Sequence, residues 1–158
     1  MSNIVGCRVD ERLIHGQVAT GWTNKLKSQR IMVIDNKVIK NDIDKMALKM
    51  ACPPNCKLSI LSIETAVKNL LSDKYGEERI FIVCKEPKYF LELLEAGIKF
   101  PELILGNISG KDDSKMLRRS VYVNDKQRLE LDSICDYGVT IGLQMTPADT
   151  WENYKELR

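Results

Sequence analysis

The feature that most constrains the fold is a regular alternation of short apolar segments with amphipathic segments along the whole chain. Seven segments have the apolar, often β-branched pattern of buried strands, at residues 4–9, 30–35, 57–61, 79–84, 102–106, 120–123 and 139–144. Helical spacing of apolar side chains occurs between them, over residues 16–27, 41–51, 62–71, 87–96 and 125–135, and a last helix is expected after Thr146 and Pro147.

Strands that alternate with helices in this way predict βαβ units, in which parallel strands are joined by helices that pack on the sheet. We therefore expect an α/β fold. One domain covers residues 1–158, with an open, mostly parallel sheet of about seven strands and helices on both faces. The second predicted helix places Ile43, Met46, Ala47 and Met50 on one face.

Composition excludes several classes of protein. A hydrophobic fraction of 44% and a charged fraction of 29% are typical of a soluble globular domain. The net charge of +2 comes from 24 basic and 22 acidic residues with no long basic block, so nucleic acid is not an expected partner. No run of apolar residues is long enough to span a bilayer, and the first residues lack the features of a signal peptide. We expect a cytoplasmic protein.

The number of cysteines is also consistent with the reducing environment of the cytoplasm. Their number is odd, at 5, which is not typical of a disulfide framework. Cys7, Cys84 and Cys135 lie in apolar segments and are predicted to be buried thiols. Cys52 and Cys56 are close in sequence, but no second Cys or His pair completes a zinc site, so no metal is expected.

The single histidine, His15, lies in a charged loop between the first predicted strand and the first predicted helix. Residues 8–18 read Arg-Val-Asp-Glu-Arg-Leu-Ile-His-Gly-Gln-Val. The N-terminus of a helix favours phosphate through its free N–H groups and its dipole. Because a neutral imidazole is a good nucleophile toward phosphorus, we predict that His15 carries a phosphoryl group.

The neighbours of His15 supply the other parts of such a site. Arg12, three residues before it, presents a guanidinium fork that pairs with phosphoryl oxygens better than an ammonium does. Asp10 either orients Arg12 or accepts the second ring N–H of His15. Gly16 has no Cβ, so the backbone N–H groups at the helix start are free to approach a phosphate closely.

Further residues are expected at the rim of the site. Ligands of open α/β sheets bind beyond the carboxyl ends of the strands, and the His15 loop follows the first strand. The other predicted rim or phosphate-binding residues are Arg8, Gly16, Gln17, Asp35 and Asn107. For Arg8 the alternative is an ion pair with Asp10 or Glu11, and Trp22 is predicted to be helix core rather than a ligand platform.

Residues 9–22, Val-Asp-Glu-Arg-Leu-Ile-His-Gly-Gln-Val-Ala-Thr-Gly-Trp, resemble the signature of the IIB component of the mannose/fructose/sorbose family of the phosphoenolpyruvate-dependent sugar phosphotransferase system. Segments at residues 30–35, 51–53, 105–110, 120–123 and 138–141 are similar to the same family in the same order. The resemblance covers essentially the whole chain. The motif around His15 is specific, whereas the later segments are persuasive only in series.

The resemblance implies that the phosphorylated histidine is His15, the phosphate-contacting arginine is Arg12 and the loop aspartate is Asp10. Such proteins accept a phosphoryl group from a histidine of a IIA protein and transfer it to a sugar that enters through membrane subunits IIC and IID. The implied activity is that of a sugar phosphotransferase with no metal or diffusible cofactor, peripheral to the membrane through those subunits. IIA is expected to be a separate protein. The family often has a second aspartate where this chain has Glu11.

Two other classes share parts of the pattern. A receiver domain has an acidic pair after its first strand, as in Asp10 and Glu11, but it also needs an acceptor Asp where this chain has Ser62. Residues 106–112 superficially resemble a nucleotide-binding phosphate loop, yet the segment is one residue short and has Asp112 in place of a Ser or Thr. This loop is expected to be a turn or a rim of the His15 site. The sugar is left open.

Overall fold

A computed structural model describes residues 2–158, and within them the chain forms nine strands and six α-helices. In chain order these are β1 (Asn3–Asp10), α1 (Gly16–Leu26), β2 (Arg30–Ile34), α2 (Asp42–Ala51), β3 (Lys57–Leu61), α3 (Ile63–Leu71), β4 (Arg79–Cys84), α4 (Pro87–Glu95), β5 (Glu102–Asn107), β6 (Lys115–Arg118), β7 (Val121–Val123), α5 (Asp125–Asp136), β8 (Thr140–Leu143), β9 (Glu152–Asn153) and α6 (Tyr154–Leu157). A 3-10 turn at Val38–Lys40 precedes α2.

The main sheet has seven strands in the order β3-β2-β4-β1-β5-β8-β9. All neighbouring pairs are parallel except β8 and β9. The chain moves from β1 toward one side of the sheet through β2 and β3, returns to β4, and then continues on the other side with β5. The predicted α/β fold is confirmed, and β1 lies beside the point where the strand order reverses, which is where ligand sites form in such sheets.

Helices cover both faces of this sheet because the central strands are apolar on both faces. On β2, Met32 and Ile34 point into a core that includes side chains of α3, α4 and α5, whereas Ile31 and Val33 point into a second core with α1 and α2. Leu13 and Ile14 of the loop between β1 and α1 join the second core. Of the helices within residues 2–158, none is long and apolar enough to cross a membrane.

Two predicted elements near the C-terminus differ from the structure. Residues 120–123 do not join the main sheet; β7 pairs with β6 in a two-stranded hairpin, and the seventh strand of the sheet is β9. No helix begins after Thr146 and Pro147, because the Asp149 carboxylate accepts a hydrogen bond from the Thr146 backbone N–H at 2.9 Å and closes a turn there. The last helix begins at Tyr154, where Asn153 caps it.

The second helix also differs from the usual arrangement of an amphipathic helix. Its predicted apolar spacing is present, but Ile43 is 82% exposed, Met46 65% and Met50 83%. The side chain that α2 buries in the core is Leu48. An apolar face of this helix therefore points away from the sheet.

The cysteines have structural surroundings. Cys7 and Cys84 are buried, and this burial raises the pKa of both thiols well above its ordinary value. Cys135 is partly buried. The Cys52 thiol donates to the Cys56 carbonyl at 3.6 Å, and the Cys56 thiol donates to the Ser28 carbonyl at 3.3 Å. Residues 2–158 contain no group of three His, Cys, Asp or Glu side chains arranged to hold a metal ion.

Candidate functional site

The loop that carries His15 connects the carboxyl end of β1 to the start of α1. It begins with a turn in which the Leu13 N–H donates to the Asp10 carbonyl at 2.9 Å. Leu13 has a φ of 60° and Gly16 a φ of 36°, so the loop uses left-handed backbone at two positions. Such a conformation costs a non-glycine residue about 1–3 kcal/mol. The buried side chains of Leu13 and Ile14 hold the loop in this shape.

His15 occupies the N-cap position of α1 and is exposed. Four other helices are capped by a side chain that accepts from the backbone, namely Asn41 before α2, Ser62 before α3, Asn124 before α5 and Asn153 before α6. The His15 side chain makes no such bond, and within residues 2–158 its imidazole has no hydrogen-bond partner. Its ring is free to react, and it lies where the first N–H groups of the helix lack intrahelical acceptors.

Asp10 holds the guanidinium group of Arg12, called the Arg12 fork below, on the β1 side of the loop. The Arg12 Nε donates to Asp10 Oδ1 and its Nη2 donates to Asp10 Oδ2, both at 3.0 Å. The Arg12 backbone N–H donates to Oδ1 at 3.0 Å as well. Hydrogen bonds that Arg12 donates to Asp10 raise the pKa of Arg12, so this side chain is cationic. Asp10 accepts from Nε and Nη2, and Met145 Sδ lies 3.4 Å from Nη2, so Nη1 is the guanidinium nitrogen that has no hydrogen-bond partner within residues 2–158.

Asp10 therefore orients Arg12, which is one of its two predicted roles. Its carboxylate is 1% exposed, whereas the Arg12 side chain is 31% exposed. The other predicted role, accepting the second ring N–H of His15, has no counterpart in the contacts of residues 2–158.

Arg8 lies beneath the loop and is 3% exposed. Its Nη1 donates to the Gln144 carbonyl at 2.8 Å and its Nη2 donates to the Met145 carbonyl at 2.7 Å. Nη2 also lies 3.4 Å from Asp10 Oδ2. Burial lowers the pKa of Arg8 to about 10, which leaves it cationic at neutral pH. These contacts match the ion-pair alternative for Arg8 and leave it too buried to meet a ligand at the surface.

Arg8 and the backbone of Gln144 and Met145 form an anchor beneath the loop. The other residues that complete this anchor were not predicted to bind a ligand. Trp22 is 5% exposed, as expected of helix core, and its indole N–H donates to the Met145 carbonyl at 3.0 Å. The Arg8 guanidinium lies over the same ring at 5.1 Å. Met145 also places its Sδ 3.4 Å from Arg12 Nη2. The segment after β8 thus ties β1, α1 and the Arg12 fork together.

Gly106 makes the anchor possible. A Cβ at this position would lie 2.1 Å from Arg8 Nη2 and 2.2 Å from its Cζ, so the guanidinium occupies the space that any side chain would need. A glycine within a strand often marks a place where another group approaches the backbone closely. That signal was present in the sequence, but it did not identify Arg8 as the group that approaches.

The other predicted rim residues fall in different places. Asn107 pairs with Asp10 in the register of β5 and β1, and its carbonyl accepts the Glu11 N–H at 2.9 Å. Ser109 donates to the Glu11 carboxylate, so the loop after β5 borders the His15 loop. Gln17 is exposed in the first turn of α1. Asp35 is buried and accepts from the backbone N–H groups of residues 37 and 38, which fixes the turn before α2.

Comparison with known proteins shows the family to which the chain belongs. The sequence model of the family described as "PTS system sorbose subfamily IIB component" matches residues 4–157. This chain belongs to that family. Membership gives it the role of a IIB component in sugar phosphotransfer, and it does not favour the receiver or nucleotide-binding alternatives.

Individual relatives of this IIB component are also described as components of sugar phosphotransferase systems or sugar permeases. The sorbose-specific EIIB component of Lacticaseibacillus casei is 30% identical over 142 residues, which are 90% of this chain and 87% of that protein. The crystal structure of the IIBSor domain of the sorbose permease from Klebsiella pneumoniae superposes with a TM-score of 0.94 at 27% identity, over 98% of this chain and 94% of that one. The mannose-specific EIIAB component of Escherichia coli K12 is 29% identical over 119 residues, which are 75% of this chain and 37% of that protein.

Proposed function

We propose that His15 is the phosphocarrier of this IIB component. It accepts a phosphoryl group from a phosphohistidine of a IIA protein and transfers it to a sugar during uptake. The observation that carries the proposal is the exposed, unpartnered imidazole at the start of α1 beside the Arg12 fork. Asp10, Arg12 and Arg8 are paired with one another, whereas the imidazole of His15 has no hydrogen-bond partner within residues 2–158.

The geometry supports a transfer that depends on positioning and charge. One ring nitrogen of His15 attacks phosphorus in line with the donor histidine, so a P–N bond forms to His15 while the donor's P–N bond breaks. The Arg12 cation, whose Nη1 has no partner, neutralises the phosphoryl oxygens, and the first N–H groups of α1, at Gly16 and Gln17, add donors at the positive end of the helix dipole. In the second step a sugar hydroxyl oxygen attacks phosphorus, the P–N bond to His15 breaks, and the hydroxyl proton passes to the imidazole, which is released in its neutral form.

Partners follow from the same chemistry. The chain has one histidine, so the donor and the acceptor of the phosphoryl group belong to other molecules. We assign a IIA protein as donor, and the membrane subunits IIC and IID as the site where the sugar receives the group on the cytoplasmic side. The name of the mannose-specific EIIAB relative, which joins A and B components in one protein, supports a direct meeting of IIA with IIB.

Labelled phosphoenolpyruvate tests the proposal. The protein is incubated with the general phosphotransferase proteins and a IIA protein, and the label on this chain is measured after acid and after alkali. We expect an acid-labile, alkali-stable label that is absent from His15→Ala and present in Asn24→Ala, a change at an exposed position on the same helix. Label that survives in His15→Ala would refute the assignment.

A further inference from the structure

We propose that the exposed apolar face of α2 is the surface on which the IIA donor docks. This α2 face consists of Ile43, Met46, Ala47 and Met50, which are spaced at i, i+3, i+4 and i+7 on one side of the helix. The inference rests on the proposed function, because it assumes a IIA protein that delivers a phosphoryl group to His15.

The face is too apolar and too exposed to be an ordinary helix surface. Ile43 and Met50 leave more than four fifths of their surface in solvent, at 82% and 83%, and Met46 leaves 65%. Clustered exposed apolar side chains mark interaction sites, whereas single ones need no explanation. Methionine is flexible and polarisable, which suits it to the surface of a transient complex.

The α2 face is continuous with the reactive loop. A cavity of about 160 Å³ lies between them, and Ala47 and Leu48 line one side while Arg12 and Ile14 line the other. Ile14 is the residue before His15. A protein that brings its own phosphohistidine to His15 must cover this loop, so its surface extends directly onto α2.

Charge indicates the chemistry of the partner surface. Lys37, Lys40 and Lys49 are exposed around the α2 face. The segment 37–51 carries four lysines against two aspartates. We therefore expect IIA to present an apolar surface with acidic side chains at its margin, because complementary charge speeds the encounter and fixes the orientation of transient partners.

Kinetics of phosphoryl transfer from phosphorylated IIA test the proposal. The double variant Ile43→Ser/Met50→Ser removes two exposed side chains, and Leu129→Ser is the matched control, because Leu129 is 68% exposed on α5 at the opposite face of the sheet. We expect the double variant to raise the KM for phosphorylated IIA by about tenfold with kcat within about twofold of wild type. The control has the wild-type KM. An unchanged KM in the double variant would overturn the proposal.

A measurement on the unmodified sequence guards against effects of the substitutions on folding. The chain is labelled with ¹³C at the methionine methyl groups and titrated with IIA. Signals of Met46 and Met50 are expected to shift, while that of Met116, 61% exposed on the β6 hairpin, stays in place. Movement of the Met116 signal without the other two would place IIA on the other side of the loop and overturn the proposal.

Other outcomes separate this proposal from the proposed function. If His15 acquires no label at saturating phosphorylated IIA, the phosphocarrier role fails. If labelling is complete but the double variant slows only the transfer to sugar in membrane vesicles, the face binds the membrane subunits and the IIA proposal fails. A concentration-dependent dimer of the chain alone, abolished by the double variant in sedimentation, would assign the face to a second copy and also overturn it.

Discussion

Opposite edges of the sheet hold two clusters with the same chemical inventory: one carboxylate, two cations and an arginine over an aromatic ring. At the amino edge, Arg30 at the start of β2 and Lys57 at the start of β3 both pair with Glu78, the lysine at 3.1 Å. Arg30 lies over the Tyr75 ring at 4.6 Å. Glu78 and Arg30 are each 16% exposed, but Lys57 is 68% exposed, so water reaches this cluster and screens its charges.

At the carboxyl edge, Asp10 pairs with Arg12 at 3.0 Å and with Arg8 at 3.4 Å, and Arg8 lies over Trp22 at 5.1 Å. Asp10 is 1% exposed, so nothing but these side chains and the backbone compensates its charge. Asp10 is also the last residue of β1, and the loop that follows it ends at the exposed His15.

The difference shows that a cluster of charged residues does not make a site. Both edges bring together the same classes of side chain. At the carboxyl edge alone, the cluster orients a partly exposed arginine next to a helix N-terminus and an imidazole with no hydrogen-bond partner. The topology of parallel strands decides which edge has loops that enter helices. The amino-edge cluster joins the starts of strands, whereas the carboxyl-edge cluster lies beside the imidazole on which the proposed phosphoryl transfer depends.

Removing the charge of each carboxylate gives the largest contrast. Asp10→Asn leaves the Arg8 cation buried without its counter-charge, which costs about 3 kcal/mol of the free energy of unfolding. The same change releases the Arg12 fork, so phosphoryl transfer slows as well. Glu78→Gln is the matched change and is expected to cost less than about 1 kcal/mol with no effect on transfer. Urea unfolding and labelling rates of both variants measure this, and equal costs would remove the distinction between the edges.

The next largest effect is expected from a side chain placed where Gly106 meets Arg8. Gly106→Ala places a methyl group against the guanidinium, and overpacking of this kind costs about 1–3 kcal/mol and displaces Arg8 from its carbonyl acceptors. Transfer is expected to slow because the Arg12 fork shares Asp10 with Arg8. In Gly21→Ala, on α1, the added methyl meets only an ordinary contact at 3.6 Å, so stability is unchanged or slightly higher. Thermal unfolding compares the two, and a neutral Gly106→Ala would contradict the observed close approach.

The fork itself is tested by Arg12→Lys. Lysine keeps the charge but presents no planar pair of donors, so the transfer rate falls by about tenfold, as expected for the loss of one charge-assisted hydrogen bond. The free energy of unfolding changes by less than about 1 kcal/mol, because the side chain is partly exposed. Single-turnover rates with phosphorylated IIA measure the effect, and a rate equal to wild type would give Arg12 a purely structural role.

The smallest effect is a pH dependence at the amino edge. Hydrogen bonds from Arg30, together with Lys57, hold the pKa of Glu78 below its ordinary value of 4.5. A lowered pKa in the folded state contributes stability above the ordinary carboxyl range and loses it as the pH falls through the folded pKa. The difference in unfolding free energy between wild type and Glu78→Gln is therefore constant near neutral pH and shrinks below about pH 4.5. A difference that grows on acidification would show that the pKa of Glu78 is raised in the folded protein rather than lowered.

Much of the carboxyl edge was predictable from local pattern. The first strand, the loop and the first helix follow from apolar periodicity, and parallel topology then places the loop at the correct edge. Proximity of Asp10 to Arg12 follows from their spacing across a tight turn.

The anchor beneath the loop was not predictable, because its contacts join residues far apart in the chain. Arg8 meets Gln144 and Met145 across 136 and 137 residues, through backbone carbonyls that carry no side-chain signature. The apolar spacing of α2 likewise predicts a face but not its direction. That direction depends on Leu48, which packs with Ile14 of the loop and turns the other apolar side chains outward.

The single histidine allows the central claim to be tested directly. Protein labelled with ¹⁵N at histidine contains only the two ring nitrogens and the backbone nitrogen of His15 as labelled sites. After phosphorylation through IIA, the ¹⁵N spectrum is expected to show a one-bond coupling to ³¹P on one ring nitrogen, and the coupling disappears when the phosphoryl group is passed on or hydrolysed in acid. A protein that takes up one phosphoryl group while neither ring nitrogen couples to phosphorus would place the group elsewhere and contradict the phosphocarrier role of His15.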